Sequence, residues 1–419
     1  MGSEHISPGA RLAPASAMAL QIALGIVTAI GGFIDVGAIA TTAQAGAQFR
    51  FQLLWAVVVA TACVILLTEM CGRLAAVSHH TVADAIRERL GFPYFAIPLF
   101  TEICVDLLVL AAEVGGMAVA LHLLTGYDFR VFVPVVMLFV WSLLWFGTFS
   151  IIEDGVSFLG LVALAFVVGM FYVHTPWRAA VHGAIPSLPT DHPARYWFLA
   201  TSIVGSVLQP FLLNFYSSGA VEDKWTVKDL PMNRIVSGLG MSFGGVIRIG
   251  ILVLGAVVLA PRGIHADSFE QAALTLVQPF GRWGLPLFAA SLGIACLGAA
   301  LDVSLNLAYV VSQGLGWNWS ENLKPYDDAR FALVYTLAVP ASALIVVLAN
   351  DPLQLTMLSM ALNAVVAPLV VFPLLILRND RAYLKDHRNS AVGNVFVFLV
   401  IALACAVAVV AIPLEVAGG

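Results

Sequence analysis

The residues of this chain that could do chemistry are ionisable side chains inside long apolar segments. The carboxylates in such segments are Asp35, Glu102, Asp106, Glu113 and Asp302, and an arginine, Arg248, lies in another. A charged side chain at the depth of a bilayer costs at least ~2.5 kcal/mol, so each is a candidate for cation binding or proton relay. The alternative for each is a structural hydrogen bond to a neighbouring helix.

Two of the apolar segments contain a helix break. The first is interrupted at Asp35 and Gly37, where a carboxylate is followed by a glycine and the backbone is free to unwind. The sixth is interrupted at Gln209-Pro210, because proline removes a helical hydrogen bond and frees carbonyls near Ser206. Taken singly, either break would more often be an ordinary kink of a membrane helix. As a pair, in corresponding positions of two inverted repeats, they predict a substrate site at the midplane.

The elements that position these residues are predicted to be membrane helices. The chain has 419 residues, of which 60% are hydrophobic and 11% are charged, whereas about a quarter of the residues in an ordinary soluble domain are charged. This balance excludes a soluble enzyme, and no catalytic residue is predicted. A bilayer crossing takes about 20 apolar residues. Apolar runs of that length predict eleven spans, at residues 18–40, 51–71, 93–124, 131–150, 157–174, 197–216, 239–260, 285–311, 331–349, 353–377 and 395–414.

The spans are predicted to form a single membrane domain, because the connections are too short to house a soluble domain. It divides into a tail at 1–17, spans 1 to 6 within 18–216, spans 7 to 11 within 217–414, and a tail at 415–419. Most Lys and Arg residues of the connections fall on the side of the N-terminus. This bias predicts a cytoplasmic N-terminus and a C-terminus on the opposite side of the plasma (inner) membrane. The net charge is −5 and no long basic tract occurs, so we expect a lipid bilayer and a small solute as partners, no nucleic acid, and a monomer.

Several motifs resemble those of a known transporter family. Residues 35–38 read DVGA and are followed by QAGAQF at 44–49 and LLW at 53–55. This series resembles the first-helix signature of the natural resistance-associated macrophage protein (NRAMP) family, which reads DPGN, QAGAQF and LLW. Residues 113–116, EVGG, resemble the acidic motif of its third helix, and 205–211, GSVLQPF, resemble its sixth-helix GATVMPH pattern.

The resemblance implies an all-α, leucine-transporter-like fold of two inverted five-helix repeats with an eleventh helix added. It further implies alternating access on divalent transition metals, usually with proton cotransport, and no cofactor beyond the transported ion. In that family the metal lies between the two unwound helices. The residues that match the family's ligand positions are Asp35, Ala38, Ser206 (through its carbonyl) and Gln209.

The departures from the family pattern bear on the substrate. Ala38 offers no side-chain oxygen, and Gln209 replaces a soft methionine sulfur with a hard amide. The metal ligands that remain, led by Asp35 and Gln209, are hard, which favours Mg²⁺. Phe211 and Leu110 replace a histidine and an aspartate of the family. Glu113 is therefore the matching acid for a proton relay, and whether transport is proton-coupled stays open.

Three hypotheses of function follow. The first is a secondary-active transporter of a divalent cation, Mg²⁺ or Mn²⁺, that works by alternating access. The second is a carrier that has lost metal transport and moves a small organic solute, such as an amino acid or lactam, whose amine or amide contacts Asp35 and Gln209. A membrane sensor is the least favoured, since no soluble output domain is predicted. In each transport hypothesis, Asp106 and Asp302 are further candidates for intramembrane proton relay.

Overall fold

The computed structural model describes residues 34–147, 149–189, 192–349, 351–388 and 390–416. The tail at 1–17 and most of the first predicted span lie outside the described residues. In chain order the α-helices are α1 (Val36–Phe49), α2 (Leu54–Ser78), α3 (Val82–Leu90), α4 (Phe92–Thr125), α5 (Phe129–Phe146), α6 (Phe149–Gly160), α7 (Leu164–Tyr172), α8 (Trp177–Gly183), α9 (Pro193–Val207), α10 (Pro210–Glu222), α11 (Leu230–Ile235), α12 (Met241–Leu254), α13 (Phe269–Phe280), α14 (Gly284–Leu315), α15 (Ala329–Leu348), α16 (Pro352–Leu377), α17 (Arg381–Leu384) and α18 (Ala391–Val416).

These helices confirm the predicted all-α, multi-pass class. In the described part of the chain, eight helical segments are long and apolar enough to cross a membrane. The shorter apolar helix Phe158–Tyr172 falls within the predicted span at 157–174, and Ala391–Leu403 overlaps the predicted span at 395–414. Helix α1 extends from the break in the first predicted span. The spans therefore follow the apolar runs of the sequence.

The described connections contain five short helices that run length alone does not predict, α3, α8, α11, α13 and α17. Side-chain caps occur at the start of α3, α13 and α17. The Thr81 hydroxyl accepts a hydrogen bond from the Asp84 N–H, and the Ser268 hydroxyl accepts one from the Gln271 N–H. Such caps satisfy backbone donors of the first turn and allow short helices to form at the membrane surface.

The sixth span is broken where the sequence predicts it. Leu208 and Gln209 separate α9 from α10, and Pro210 is the first residue of α10. In an unbroken helix the N–H of residue 210 would bond to the carbonyl of Ser206, and proline has no N–H to donate. The Ser206 carbonyl is therefore available to side chains.

The described part of the first span begins with Ile34 and Asp35, which are not helical, and α1 begins at Val36. Gly37 itself lies in the first turn of α1, so among the described residues the non-helical positions are Ile34 and Asp35 and not Gly37. Its lack of a side chain serves packing instead, because a Cβ at this position would lie 2.3 Å from the Met360 sulfur.

The two broken spans lie against one another inside a frame of longer helices. Helix α4 packs along α14, and α16 packs against both α4 and α9. Helix α1 contacts α9 and α12. Asp35 at the start of α1 and the break between α9 and α10 consequently face one another within the protein.

Glycines allow the closest of these helix contacts. A Cβ on Gly205 would lie 1.9 Å from the carbonyl oxygen of Met360, and one on Gly46 would lie 2.1 Å from that of Leu252. Both obstacles are backbone atoms, which cannot rotate away. Spans 6 and 10, and spans 1 and 7, therefore depend on glycine at these two positions.

We expect Gly205→Ala to destabilise the protein by about 1 to 3 kcal/mol, because the added methyl forces α9 away from α16. The measurement is the apparent melting temperature of the purified protein in detergent. Gly219→Ala is the matched control, since a Cβ there has no heavy atom within 4 Å, and it should leave the melting temperature unchanged or raise it. Equal melting temperatures for the two variants would contradict the packing argument.

Candidate cation site between the two helix breaks

Asp35 is held at the break of the first span by groups from both sides of the site. Its Oδ1 atom accepts a hydrogen bond of 2.5 Å from the Ala38 N–H, so the carboxylate caps α1. Its Oδ2 atom accepts a hydrogen bond from the Gln209 side chain, which comes from the other break. Only 2% of Asp35 is exposed. A carboxylate thus lies in the interior of the membrane domain, where the positive end of a helix stabilises its charge.

The carbonyl oxygen freed by Pro210 is bound by two side-chain donors. Gln209 Nε2 donates to the Ser206 carbonyl at 3.0 Å, and Arg248 Nη2 donates to it at 2.8 Å. Arg248 Nη1 also donates to the Ser206 hydroxyl at 2.7 Å. The break in span 6 therefore presents its oxygens toward Asp35.

Arg248, in the middle of α12, places a positive charge next to the Asp35 carboxylate. Its Nη2 atom lies 3.6 Å from Asp35 Oδ1, and it is 1% exposed. The sequence marks Arg248 as an arginine inside an apolar run, and the motifs give no sign that it meets Asp35. The fold supplies that contact by packing α12 against α1.

A sulfur atom also lies at the site. Met360, from α16, has its Sδ atom 3.7 Å from Gln209 Nε2. The amide nitrogen of Gln209 thus stands among the Asp35 carboxylate, the Ser206 carbonyl and the Met360 sulfur. Sequence reasoning missed Met360, because methionine in an apolar span is indistinguishable from a packing residue.

Glu113 is the second carboxylate next to the site. Its Oε2 atom accepts a hydrogen bond of 3.2 Å from the N–H of Val36, the residue that follows Asp35. Of the positions predicted from the sequence, Asp35, Ser206, Gln209 and Glu113 are brought together. Ala38 contributes its backbone N–H rather than a side-chain ligand.

Asp106 belongs to a separate buried cluster with Glu102. Asn214 Nδ2 donates to both oxygens of Glu102, at 2.7 and 2.8 Å. Asn306 Nδ2 bridges Glu102 and Asp106 at 3.0 and 2.9 Å. These four side chains come from α4, α10 and α14 and are almost fully buried. Asp302 lies one turn before Asn306 on α14, and the hydrogen bonds of the cluster around Glu102 and Asp106 do not include Asp35.

Three side chains at one end of the site form a hydrogen-bonded group that we call the outer clasp: Gln44, Gln48 and Arg195. Gln44 Nε2 and Gln48 Nε2 donate to the carbonyls of Ala266 and His265, both at 3.1 Å. Arg195 donates to the amide oxygens of the same two glutamines, at 2.9 and 3.0 Å. These bonds join α1 to the start of α9 and to the connection before α13.

At the opposite end, a second group forms around Gln313, near the end of α14. Thr81 Oγ1 donates to the amide oxygen of Gln313, and Gln313 Nε2 donates to Ser218 Oγ, both at 2.9 Å. Arg87 Nη1 donates to the backbone carbonyl of Gln313. We call Thr81, Arg87, Ser218 and Gln313 the inner clasp. These bonds join α14 to α10, to α3 and to the residue before α3.

The donor types at the site suit one ion rather than a cluster of metals. Among the described residues, no three His, Cys, Asp or Glu side chains converge as metal ligands. An ion here would have Asp35 as its carboxylate, with a carbonyl, an amide and a thioether as neutral donors.

A comparison with known protein families decides the identity of the fold. Residues 25–413 match the family described as "Natural resistance-associated macrophage protein-like". The chain belongs to the NRAMP family. The match covers nearly the whole chain and confirms the resemblance seen in the motifs.

Individual NRAMP relatives support the same conclusion. The divalent metal cation transporter MntH of Aeromonas hydrophila is 27% identical to this chain in an alignment of 394 residues that covers 89% of this chain and 91% of that protein. The crystal structure of the Eremococcus coleocola manganese transporter, in complex with an aromatic bis-isothiourea compound, matches with a TM-score of 0.79 at 19% identity. That match covers 98% of this chain and 90% of the other.

More distant structures show how general the fold is. MhsT, solved in complex with L-phenylalanine, matches with a TM-score of 0.60 at 15% identity, over 93% of this chain and 97% of MhsT. Mhp1, a nucleobase-cation-symport-1 family transporter, matches with a TM-score of 0.55 at 16% identity, over 93% and 90% of the chains. The predicted leucine-transporter-like fold of this NRAMP protein is thereby confirmed.

The contacts in the cluster of Glu102, Asp106, Asn214 and Asn306 predict that two substitutions affect the stability of the protein differently. Asn306→Leu removes the bridging donor and leaves two buried carboxylates facing each other, so we expect it to cost about 1 to 3 kcal/mol. Asp106→Asn removes one of those carboxylates and should leave stability unchanged or raise it. Apparent melting temperatures of both variants test this. A loss of similar size in both would contradict the assignment.

Proposed function

We propose that this NRAMP protein is a secondary-active carrier of a divalent transition metal, with Mn²⁺ as the preferred ion. The observation that carries the proposal is the convergence of the Asp35 carboxylate, the Ser206 carbonyl and the Met360 sulfur on one point between two helix breaks. In this structure that point is filled by the Gln209 amide nitrogen. Donors that converge within a few ångströms of one atom are what a single ion requires.

The Gln209 amide, whose nitrogen occupies the proposed ion position in this structure, can also serve as a ligand of the ion. Its amide oxygen, Oε1, is buried and has no hydrogen-bond partner among the described residues. Rotation of the amide group would move the nitrogen away and present the oxygen to an ion between Asp35 and Ser206. The cost of a buried acceptor without a partner is then offset by the metal.

The size of the site favours an ion over an organic solute. The space among Asp35, Ser206 and Met360 holds one amide group, and all three residues are almost fully buried. An amino acid or lactam would need this space to widen by several atoms. The organic-solute hypothesis therefore serves as the alternative outcome of the binding experiment below.

Met360 changes the expected preference among divalent ions. The family's ligand positions alone form a hard donor set, which favours Mg²⁺. A thioether is a soft donor that contributes little to Mg²⁺, which prefers oxygen ligands and retains its water. A sulfur supplied by α16 therefore supports Mn²⁺ over Mg²⁺ at this site.

The two clasps suggest how the ion crosses. We propose that the outer and inner clasps open alternately, so that the site between the helix breaks communicates with one side at a time. The excess of basic residues in the connections supports a cytoplasmic N-terminus in the plasma membrane. One chain contains both clasps and the complete site, which supports function as a monomer.

Glu113 is the proposed proton carrier. It is a second buried carboxylate adjoining the backbone of the Asp35 break, through the N–H of Val36. Arrival of a divalent cation next to it favours its ionised form and expels a proton. In this way metal entry and proton movement are coupled without a histidine in span 6.

The metal assignment predicts opposite consequences for two variants. Asp35→Asn should abolish Mn²⁺ binding, because it removes the anionic ligand. Met360→Leu should retain binding and lower the preference for Mn²⁺ over Mg²⁺ by about tenfold, equivalent to about 1.4 kcal/mol. Isothermal titration calorimetry of the purified proteins against each ion measures both effects.

Met357→Leu is the matched control, because Met357 is buried on the same helix and makes no contact described at the site. It should leave both affinities unchanged. An unaltered preference in Met360→Leu would remove the sulfur from the ligand set. Stabilisation of the unmodified protein by an amino acid or lactam, with no heat from either metal, would favour the organic-solute alternative.

The coupling proposal predicts that Glu113→Gln separates metal from proton movement. Glutamine can still accept the hydrogen bond from Val36, so the site should keep its shape and its Mn²⁺ affinity. Proteoliposomes with an entrapped pH indicator should acidify during Mn²⁺ uptake with the unmodified protein only. Acidification that persists in Glu113→Gln would assign the proton pathway to other residues.

A further inference from the structure

The metal ligands of the proposed site are already occupied by a positive charge that belongs to the protein. Arg248 Nη2 donates to the Ser206 carbonyl at 2.8 Å and lies 3.6 Å from Asp35 Oδ1. These are two of the oxygen ligands assigned to the ion above. We propose that Arg248 is an internal substitute for the transported cation, which holds the site in the empty carrier and must leave before metal binds.

This inference rests on the proposed function, and the chemistry of arginine supports it. A guanidinium group donates from several N–H bonds, has no acceptor and keeps its charge at any physiological pH. It therefore satisfies the same oxygens that a metal would satisfy. Its charge compensates Asp35, which would be costly to bury alone.

Charge makes the two cations mutually exclusive. Asp35 is the carboxylate of the site, and it cannot compensate an arginine and a divalent metal that both lie against it. Two positive groups within a few ångströms repel strongly in a poorly solvated interior. The apparent affinity for metal is then the intrinsic affinity multiplied by the fraction of molecules in which Arg248 has left the ligands.

The second carboxylate of this region, Glu113, is a partner to which Arg248 can move. Its Oε2 atom accepts a hydrogen bond from the N–H of Val36, the residue next to Asp35. The helix that carries Arg248 is bounded by π-helical segments, Val236–Gly240 and Gly255–Leu259. Such turns are frequent at functional sites. A small rotation of α12 would transfer Arg248 from Asp35 toward Glu113.

The first test removes the charge. Arg248→Gln should bind Mn²⁺ at least tenfold more tightly than the unmodified protein, measured by isothermal titration calorimetry. Arg130→Gln is the matched control, because Arg130 is an exposed arginine at the start of α5 and its loss should change nothing. The added binding should disappear in the double variant Asp35→Asn, Arg248→Gln.

The second test keeps Arg248 and removes one of its hydrogen bonds, and it applies also if Arg248→Gln does not fold. Ser206→Ala removes the hydroxyl that accepts from Arg248 Nη1 and preserves the backbone carbonyl that would bind the metal. If Arg248 competes with the ion, Ser206→Ala tightens Mn²⁺ binding several-fold. If the Ser206 hydroxyl acts merely as a ligand or a structural group, the same variant weakens binding.

The third test replaces the Arg248 side chain with guanidinium ion added in solution. In Arg248→Ala, added guanidinium ion should weaken Mn²⁺ binding, whereas the same millimolar concentration of urea should not. Urea has nearly the same planar shape and carries no charge. Guanidinium and urea with equal effects would show that the vacated space does not select a cation, and this would overturn the proposal.

The outcomes separate this inference from the proposed function. Equal or weaker Mn²⁺ binding by Arg248→Gln, when the unmodified protein binds Mn²⁺, overturns the internal substitute and leaves metal transport standing. Binding by Arg248→Gln alone supports the substitute and overturns metal transport by the unmodified chain. Absence of binding in both overturns both.

Discussion

A carboxylate in the interior of a membrane protein needs donors around it, and the rest of this structure depends on how Asp35 obtains them. Its oxygens face the Ala38 N–H, the Gln209 amide and the Arg248 guanidinium. Each donor comes from a different element, α1, the break in span 6 and α12. The helix break in span 1, the proline in span 6 and the arginine in span 7 are thus parts of one electrostatic arrangement.

The same donors that stabilise the empty site set the conditions for binding an ion. N–H groups of Gln209 and Arg248 occupy the places around the Ser206 carbonyl where a cation would lie. An ion that binds as proposed replaces existing hydrogen bonds and does not fill an empty cavity. Its net affinity is then the difference between two sets of contacts, which suits a carrier that must also release its substrate.

The sequence predicted much of the fold and half of the site, for identifiable reasons. Apolar run length located the spans, and the pairing of two breaks located Asp35, Ser206 and Gln209, because these signals are local in the chain. Met360 and the contact of Arg248 with Asp35 depend on which faces of spans 7 and 10 turn inward, and apolar spans carry no clear periodicity that reveals it. The same limit applies to the asparagines around Glu102, since an uncharged amide in an apolar run is not by itself a signal of a buried carboxylate partner.

The outer clasp has a further consequence for how the protein opens. Gln44 and Gln48 lie one turn apart on α1, bind consecutive carbonyls of one connection, and share a single guanidinium, that of Arg195. Movement of α1 that breaks one of these bonds removes the geometry that supports the others. If the clasp opens as proposed, it should therefore release in a single cooperative step, which discourages half-open states through which ions would leak down their gradient.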